Sequence, residues 1–307
     1  MRIPILVLAS VLATAAGPAG ADSARDSLLV SPAWLAEHMK DADLVLLHVG
    51  DKKEYDTAHI PGARYVDLHD ISLYDHSGNG LYLEMPPAED LRHRLESLGI
   101  SDRSRVIVYY GNDWVSPTTR VLFTLDYAGL GGRASILDGG QPAWVREGRP
   151  VESAAPAVHA GSLSPLSIRP LVVDAAFVLA HRDTPGYAVV DGRASSLYDG
   201  VETGGDDQHP HKTGHIAGAH SFPFTDLTGD DLKVRSDEDL ADLFVKAGVK
   251  PGDTVVGYCH IGQQATAMLL AARLLGHKVL LYDGSFEDWS RHADYPVENP
   301  SAKKSQS

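Results

Sequence analysis

The sequence predicts an α/β protein of two tandem domains, each with a mostly parallel sheet and helices on both faces. Two observations carry this prediction. The same series of short motifs occurs twice with a repeat of about 145 residues, which indicates a duplicated domain and not a solenoid. Within each copy, short apolar strands alternate with helical stretches, as in parallel sheets covered by helices.

The first residues of the 307-residue chain are predicted to be a signal peptide, 1–21. Arg2 precedes a short apolar run, Ile5–Ala16, and the small residues Ala19–Ala21 come before Asp22. A positive start, an apolar stretch and a small-x-small end are typical of a cleaved secretory signal. The alternative is an uncleaved N-terminal anchor, although the run is too short to span a bilayer. We expect a periplasmic or secreted protein.

The repeated motifs define the elements of each copy in chain order. A capped helix is followed by a strand, a Tyr-Asp pair, a His-Ile-x-Gly-Ala segment, a second strand, and an Asp-Gly segment with a later Trp. In the first copy these are Ser31–Leu35, Leu44–Val49, Tyr55-Asp56, His59–Ala63, Val106–Tyr110 and Leu137–Gly139 with Trp144. In the second copy they are Asp174–Val178, Ala188–Val190, Tyr198-Asp199, His215–Ala219, Thr254–Tyr258 and Tyr282–Gly284 with Trp289. Ser31 and Asp174 are expected to be N-caps, with Pro32 at the first helical position.

The repeat places the first domain at 22–151 and the second at 167–299. The segment 152–166 between them is rich in Ala, Ser, Gly and Pro and is predicted to be a linker. We expect 300–307 to be a disordered tail.

Charge and cysteine content restrict the function. The net charge of −14 disfavours nucleic acid and anionic membranes as partners. The chain has one Cys, so it forms no intramolecular disulfide even in the oxidising compartment that export predicts. A lone thiol there is either buried or kept for its chemistry.

That thiol, Cys259, stands where a predicted strand ends and a loop leads into a predicted helix, Thr266–Leu275, closed by Gly276. Ligands in parallel sheets bind at this end of the strands. We expect the loop N–H groups and the helix dipole to lower the pKa of Cys259 and to hold an anionic sulfur. Gly262 lets the loop turn without a Cβ clash. The alternative, a small buried core Cys, fits the position less well.

With these motifs the sequence resembles the tandem-domain rhodanese-like sulfurtransferases, the thiosulfate and 3-mercaptopyruvate sulfurtransferase family, over nearly the whole mature chain. The resemblance implies a catalytically silent first domain and an active second domain. It also implies transfer of a sulfane sulfur through a persulfide on Cys259, from a small anionic donor to a thiol, cyanide or a protein acceptor. We expect no cofactor and no metal.

The first copy fits the silent role, because Tyr110–Pro117 occupies the place of the Cys259 loop and contains no thiol. Ser116 in this segment has no evident base beside it. We expect the segment to pack against the active copy and to form one wall of the cleft.

Arg193 matches the position of a substrate-facing Arg in tandem relatives, where it would hold thiosulfate or a carboxylate by paired hydrogen bonds. The alternative is an Arg paired with an acid. Leu197 stands where the mercaptopyruvate-using branch carries a second Arg, which favours a thiosulfate-like donor. His260 stands where thiosulfate-using relatives often place a cation, so it either attracts the donor weakly and pH-dependently or points to solvent. The other predicted substrate contacts are Ile261, Gly262, Gln263 and Gln264.

His59 and His215 occur in both copies, the silent one included, and are expected to be structural. An insert, 200–212, lengthens only the active copy and is expected to overhang the cleft. Its acidic and His-containing part, Asp206–His211, suggests a weak metal site, but its Gly-rich context favours a solvated loop.

Two other function classes are relevant to this sequence. Cell-cycle dual-specificity phosphatases resemble this fold, but they need an Arg at the end of the Cys loop, and the sixth residue after Cys259 is Ala265. A non-enzymatic persulfide carrier, loaded by a partner protein, shares the cysteine chemistry and stays open as the alternative.

Overall fold

A computed structural model of the chain describes residues 23–75, 80–111, 115–206 and 210–304. The predicted signal peptide lies outside the described residues. Across these ranges, every helix is too short or too polar to cross a bilayer.

The first domain contains seven strands and seven α-helices among its described residues. The strands are β1 (Leu29–Val30), β2 (Leu44–Val49), β3 (Arg64–Val66), β4 (Leu73–Tyr74), β5 (Tyr82–Glu84), β6 (Arg105–Tyr110) and β7 (Ala134–Leu137). The helices are α1 (Ala24–Leu28), α2 (Pro32–His38), α3 (Lys52–Thr57), α4 (Leu68–Ile71), α5 (Ala88–Ser97), α6 (Ser116–Tyr127) and α7 (Gly140–Arg146).

The second domain repeats most of this pattern. Its strands are β8 (Val172–Val173), β9 (Tyr187–Asp191), β10 (His215–Ile216), β11 (His220–Ser221), β12 (Thr254–Tyr258), β13 (Val279–Tyr282) and β14 (Val297–Glu298). Its helices are α8 (Ala175–His181), α9 (Ser195–Tyr198), α10 (Asp237–Ala247), α11 (Ala265–Leu274), α12 (Ser285–Arg291) and α13 (Pro300–Lys304).

Each domain is built on a five-stranded parallel sheet, and the two sheets have the same strand order. The first runs β1-β7-β6-β2-β3 and the second runs β8-β13-β12-β9-β11. The pairing registers match as well, since His48 lies opposite Tyr109 and Asp191 lies opposite Tyr258. The predicted fold class is confirmed.

Local sequence signals determine several helix ends. The Ser31 hydroxyl accepts a hydrogen bond from the backbone N–H of Trp34, and the Asp174 carboxylate accepts one from Phe177. Helix α11 begins one residue earlier than predicted, at Ala265, and Gly276 follows its end with a φ of +81°. The capping residues named from the sequence are confirmed.

The two domains share one hydrophobic core, which runs across both sheets through α6 and α11. These two helices are buried almost all round. The hydroxyls of Thr119 and Thr266 meet between them at 2.8 Å. The ends of α6 and α11 that begin the helices therefore lie together, beside the Cys259 loop.

Two segments outside the sheets, the start of the predicted linker and the C-terminal residues, contact the domains through hydrogen bonds. Glu152 exchanges two backbone hydrogen bonds with His59, so the predicted linker begins against the first domain. The expected disordered tail is wrong for Pro300–Lys304, which form α13. The Asn299 side chain accepts from the N–H of Ala302, and Ser301 bonds to the second domain, which fixes this helix. Residues 305–307 lie outside the described ranges.

Candidate active site

Cys259 lies at the carboxyl end of β12 and is 0% exposed. Three backbone N–H groups donate to its sulfur, from Ile261, Gln264 and Ala265. Ala265 is the first residue of α11, so the sulfur faces the start of that helix. The structure thus contains the predicted amide cradle, which suits an anionic sulfur.

Burial nevertheless raises the pKa of the Cys259 thiol above its ordinary value. The three amides lower it and the Asp191 carboxylate raises it further, and burial exceeds the effect of the amides. The prediction of a lowered pKa is wrong for the resting protein. The reason is that sequence position revealed the amides and the helix but not the depth at which the thiol is buried.

Arg120 of α6 reaches from the first domain into the Cys259 loop and is fully buried. Its Nη1 donates to the Gly262 carbonyl at 3.1 Å and to Asp283 Oδ1 at 2.7 Å, and its Nη2 donates to the Leu83 carbonyl. Gly262 has a φ of +79°, and a Cβ there would lie 2.8 Å from the Asp283 carbonyl oxygen. Glycine is therefore required where Arg120 holds the loop.

Ser285, at the start of α12, supports the loop from the other side. Its hydroxyl accepts from the N–H of Cys259 at 3.2 Å and donates to the Tyr282 carbonyl at 2.9 Å. Its φ of 54° lies in the left-handed region, where a non-glycine residue is uncommon. The equivalent residue of the first domain, Gly140, has the same φ. Neither Arg120 nor Ser285 was predicted, although comparing Gly140 with Ser285 offered one signal for the latter.

Arg193 is 1% exposed and lies in a buried ion pair. Its Nε and Nη2 donate to the Asp191 carboxylate, Nη2 also donates to the Gly214 carbonyl, and the guanidinium lies 4.0 Å from the ring centroid of Phe286. Although burial lowers the pKa of Arg193, Asp191 raises it overall. The structure does not place Arg193 on an open cavity wall as expected, but its charge still acts on Cys259.

His260 faces the insert. Its ring stacks on that of His211 at 5.6 Å between centroids, and Gly204 lies against it. Burial lowers the pKa of each imidazole to about 4, so both are neutral at pH 7. Gly204 and His211 of the insert therefore cover this side of the Cys259 loop, and His260 supplies no cation. Among the described residues no cluster of three metal-ligating side chains occurs, and 207–209 lie outside them.

The opposite side of the loop opens on a cavity between the domains, here called the interdomain cavity, of about 510 Å³. Ile261 and Gln263 line it from the second domain. The first domain contributes apolar, aromatic and acidic residues, among them Leu83, Tyr74, Tyr82, Asp51 and Asp67.

The side chains of Gln263 and Gln264, two further predicted substrate contacts, differ in their hydrogen bonding. Gln263 donates to the Ser116 hydroxyl at 3.1 Å, and Ser116 is buried, so this part of the first domain packs against the loop as predicted. The side-chain oxygen of Gln264 is buried without a hydrogen-bond partner in the described part of the chain.

His59 and His215 have matching structural roles. Each Nδ1 bonds at 2.7 Å to the carbonyl of the Tyr in the preceding Tyr-Asp pair, Tyr55 or Tyr198, and each ring stacks on that Tyr. The prediction that both are structural is confirmed.

Comparison with known proteins agrees with the duplicated sheets and the cysteine loop. The rhodanese-like domain family matches residues 31–147 and again 174–292. The chain belongs to the rhodanese family. Thiosulfate sulfurtransferase of Azotobacter vinelandii is 29% identical over 90% of this chain and 99% of its own length. The 3-mercaptopyruvate sulfurtransferase of Escherichia coli is also 29% identical, over 86% and 95%.

A third relative, the sulfur carrier protein TtuD of Thermus thermophilus, is 30% identical over 89% of this chain and 97% of its own. The two rhodanese matches cover four of the five strands of each sheet, which confirms the predicted tandem organisation. The predicted enzyme class, sulfurtransferase, is confirmed by the enzyme relatives.

Proposed function

We propose that this rhodanese-family protein moves a sulfane sulfur from a thiosulfate-like donor to a thiol or cyanide through a persulfide on Cys259. The observation that carries the proposal is the convergence of three backbone N–H groups on the sulfur of Cys259. This cradle can hold a thiolate and, after transfer, an anionic persulfide sulfur.

The reaction takes two displacements. The Cys259 thiolate attacks the outer sulfur of thiosulfate, the S–S bond of the donor breaks, and sulfite leaves with the electron pair. The acceptor then attacks the outer sulfur of the persulfide, and the Cys259 thiolate leaves. Covalent catalysis divides one difficult transfer into two easier ones. Because the resting thiol is buried with a raised pKa, it loses its proton only when the donor arrives, and the departing sulfite carries that proton away as bisulfite.

The choice of donor rests on Leu197 of α9, which stands where the mercaptopyruvate-using branch carries a cation. Arg193 does not replace that cation, because its guanidinium forms a buried ion pair with the Asp191 carboxylate. A donor carboxylate would therefore lack a charged partner worth about 1.5–3 kcal/mol. We expect kcat/KM to be higher for thiosulfate than for mercaptopyruvate, and the reverse order would refute this choice.

A persulfide carrier loaded by a partner protein is the second candidate. The likeness to a protein named as a sulfur carrier favours it. Such a carrier would accept sulfur from its partner but would turn over no small donor.

Mass spectrometry after exposure to thiosulfate or mercaptopyruvate tests the persulfide, which adds one sulfur atom to the peptide containing Cys259. Thiocyanate formation from thiosulfate and cyanide then separates enzyme from carrier. Cys259→Ser keeps nearly the same shape but offers a far poorer nucleophile. We expect it to fold, as judged by circular dichroism, and to form no thiocyanate. A folded variant that works at the wild-type rate would end the proposal.

A further inference from the structure

A second cavity, here called the basic cavity, lies where the strands of the second domain's sheet begin, at the end opposite to Cys259. Its volume is about 570 Å³. It is lined by the first residues of three strands, Tyr187 of β9, Thr254 of β12 and Val279 of β13, and by cations from neighbouring segments. The reaction proposed for Cys259 uses none of these residues.

The cations of the basic cavity are Arg169, Arg273 and Lys278. Arg169 and Arg273 share a single carboxylate, that of Asp126, which is 2% exposed. Arg273 Nη1 lies 3.1 Å from Asp126 Oδ2, and Arg169 bonds to the other oxygen. Lys278 has no ion pair with any residue in the described ranges. The lining therefore carries more positive than negative charge.

This excess stands out because the chain as a whole carries a net charge of −14. Burial lowers the pKa of the Arg273 guanidinium, Asp126 opposes that effect, and the neighbouring Arg169 adds to it. Two guanidinium groups thus crowd around one carboxylate. A further anion in the cavity would relieve their repulsion, and a partly enclosed site screens such an interaction less than open solvent does.

The groups at hand suit an anion with several oxygens. Two guanidiniums and an ammonium group approach from separate segments, and Thr254 and Tyr187 add hydroxyls to the lining. Guanidinium groups bind oxyanions through paired, charge-assisted hydrogen bonds. We propose that the basic cavity binds a tetrahedral dianion of the sulfate, phosphate or thiosulfate type.

Equilibrium dialysis of the full chain with radiolabelled sulfate tests the site. We expect one bound sulfate per chain, displaced by divalent oxyanions but not by chloride at equal ionic strength. Displacement by thiosulfate below the concentration needed for phosphate would identify a species of the sulfur-transfer reaction as the ligand, and the reverse order would identify phosphate. Equal displacement by chloride, or no binding at millimolar sulfate, would overturn the proposal.

Variants assign the bound sulfate to the cavity. In the double variant Arg169→Gln/Lys278→Gln we expect binding to weaken on the order of tenfold to a hundredfold. The matched control, Arg103→Gln/Lys246→Gln, removes the same charge from exposed positions outside the cavity and should bind sulfate like wild type. Sulfate binding that survives the cavity variant but is lost when Cys259 is alkylated would belong to the active site and would refute the assignment.

Discussion

At the level of single residues, the reactivity of Cys259 is a balance between burial and hydrogen bonding. Three amides favour the thiolate, yet the thiol has a raised pKa because no part of it reaches solvent. The three N–H groups therefore stabilise the sulfur mainly after it has become an anion. In the resting protein most of the population is the thiol at neutral pH.

The pH dependence of Cys259 alkylation tests this balance. The thiolate is the reactive form, and a raised pKa reduces its population at neutral pH. We expect the rate with iodoacetamide to keep rising through alkaline pH, with a midpoint above about 8.5, the ordinary value for Cys. A Cys-containing peptide measured alongside supplies the reference midpoint. Burial slows alkylation at every pH, so the midpoint is the readout. A plateau already reached at pH 7 would contradict the raised pKa.

At Arg193 the structure agrees with the alternative interpretation, an Arg paired with an acid. Its position matched a substrate-facing Arg, but the adjacent Asp191 takes its guanidinium. Removing one partner of a buried ion pair leaves an uncompensated charge, so Arg193→Ala should lower the free energy of unfolding by about 3–5 kcal/mol. Urea denaturation measures this.

Arg103→Ala is the control for Arg193→Ala, because its ion pair with Asp43 is exposed and should contribute below about 1 kcal/mol. Arg193→Ala protein of unchanged stability, with only a higher KM for thiosulfate, would restore the substrate-binding role.

At the level of elements, strands, helix starts and the cysteine loop follow from local sequence. The capping hydrogen bonds of Ser31, Asp174 and Gly276 join residues three positions apart, so they can be predicted from the sequence. Arg120 acts on Gly262 and Asp283, which are distant in sequence. Nothing near Arg120 in the chain reveals these partners, and the same holds for the burial of Cys259. The sequence predicted that a segment of the first domain packs against the Cys259 loop, but the individual contacts made by Arg120 across the domains could not be predicted.

Arg120 is a positioning residue, because its side chain connects α6 to the Cys259 loop through Gly262 and Asp283. Replacing it with Gln removes the charged contact to Gly262 and Asp283 and should let the loop shift. Because small displacements of a reacting group are costly, we expect kcat/KM for thiosulfate to fall on the order of a hundredfold. The fall should appear in kcat, since Arg120 is buried away from the interdomain cavity.

The control for Arg120→Gln is Arg105→Gln. Arg105 belongs to the same domain, bonds to the Ser135 hydroxyl and lies over the Trp34 ring, with no contact to the loop. Both variants should melt earlier than wild type. Equal kcat values for the two folded proteins would show that Arg120 is only structural.

At the level of the whole molecule, the first domain contributes charge as well as packing to the interdomain cavity. Its wall of the interdomain cavity carries Asp51 and Asp67, which repel an anionic donor. Each carboxylate also caps a helix, α3 or α4, and Asn caps equally well. Asp51→Asn and Asp67→Asn should therefore lower KM for thiosulfate by a factor of about two to five each without loss of stability.

Steady-state kinetics at low and high salt check this effect, which should fade as salt screens the charges. Asp242→Asn on the surface of α10 removes the same charge elsewhere and should leave KM unchanged. If all three variants behave alike, the donor does not pass this wall.

Export is the prediction that concerns the chain as a whole. We propose that residues 1–21 direct the protein out of the cytosol, because Arg2, the apolar run Ile5–Ala16 and the small residues Ala19–Ala21 follow the order of a secretory signal. A single, fully buried Cys suits an oxidising compartment, since it neither needs a disulfide nor exposes its thiol. N-terminal sequencing of protein from the extracytoplasmic fraction should begin at Asp22. Replacing Ala19 and Ala21 with bulky residues should block cleavage and leave the uncut chain bound to the membrane. Recovery of the full-length wild-type chain from the cytosol would refute export.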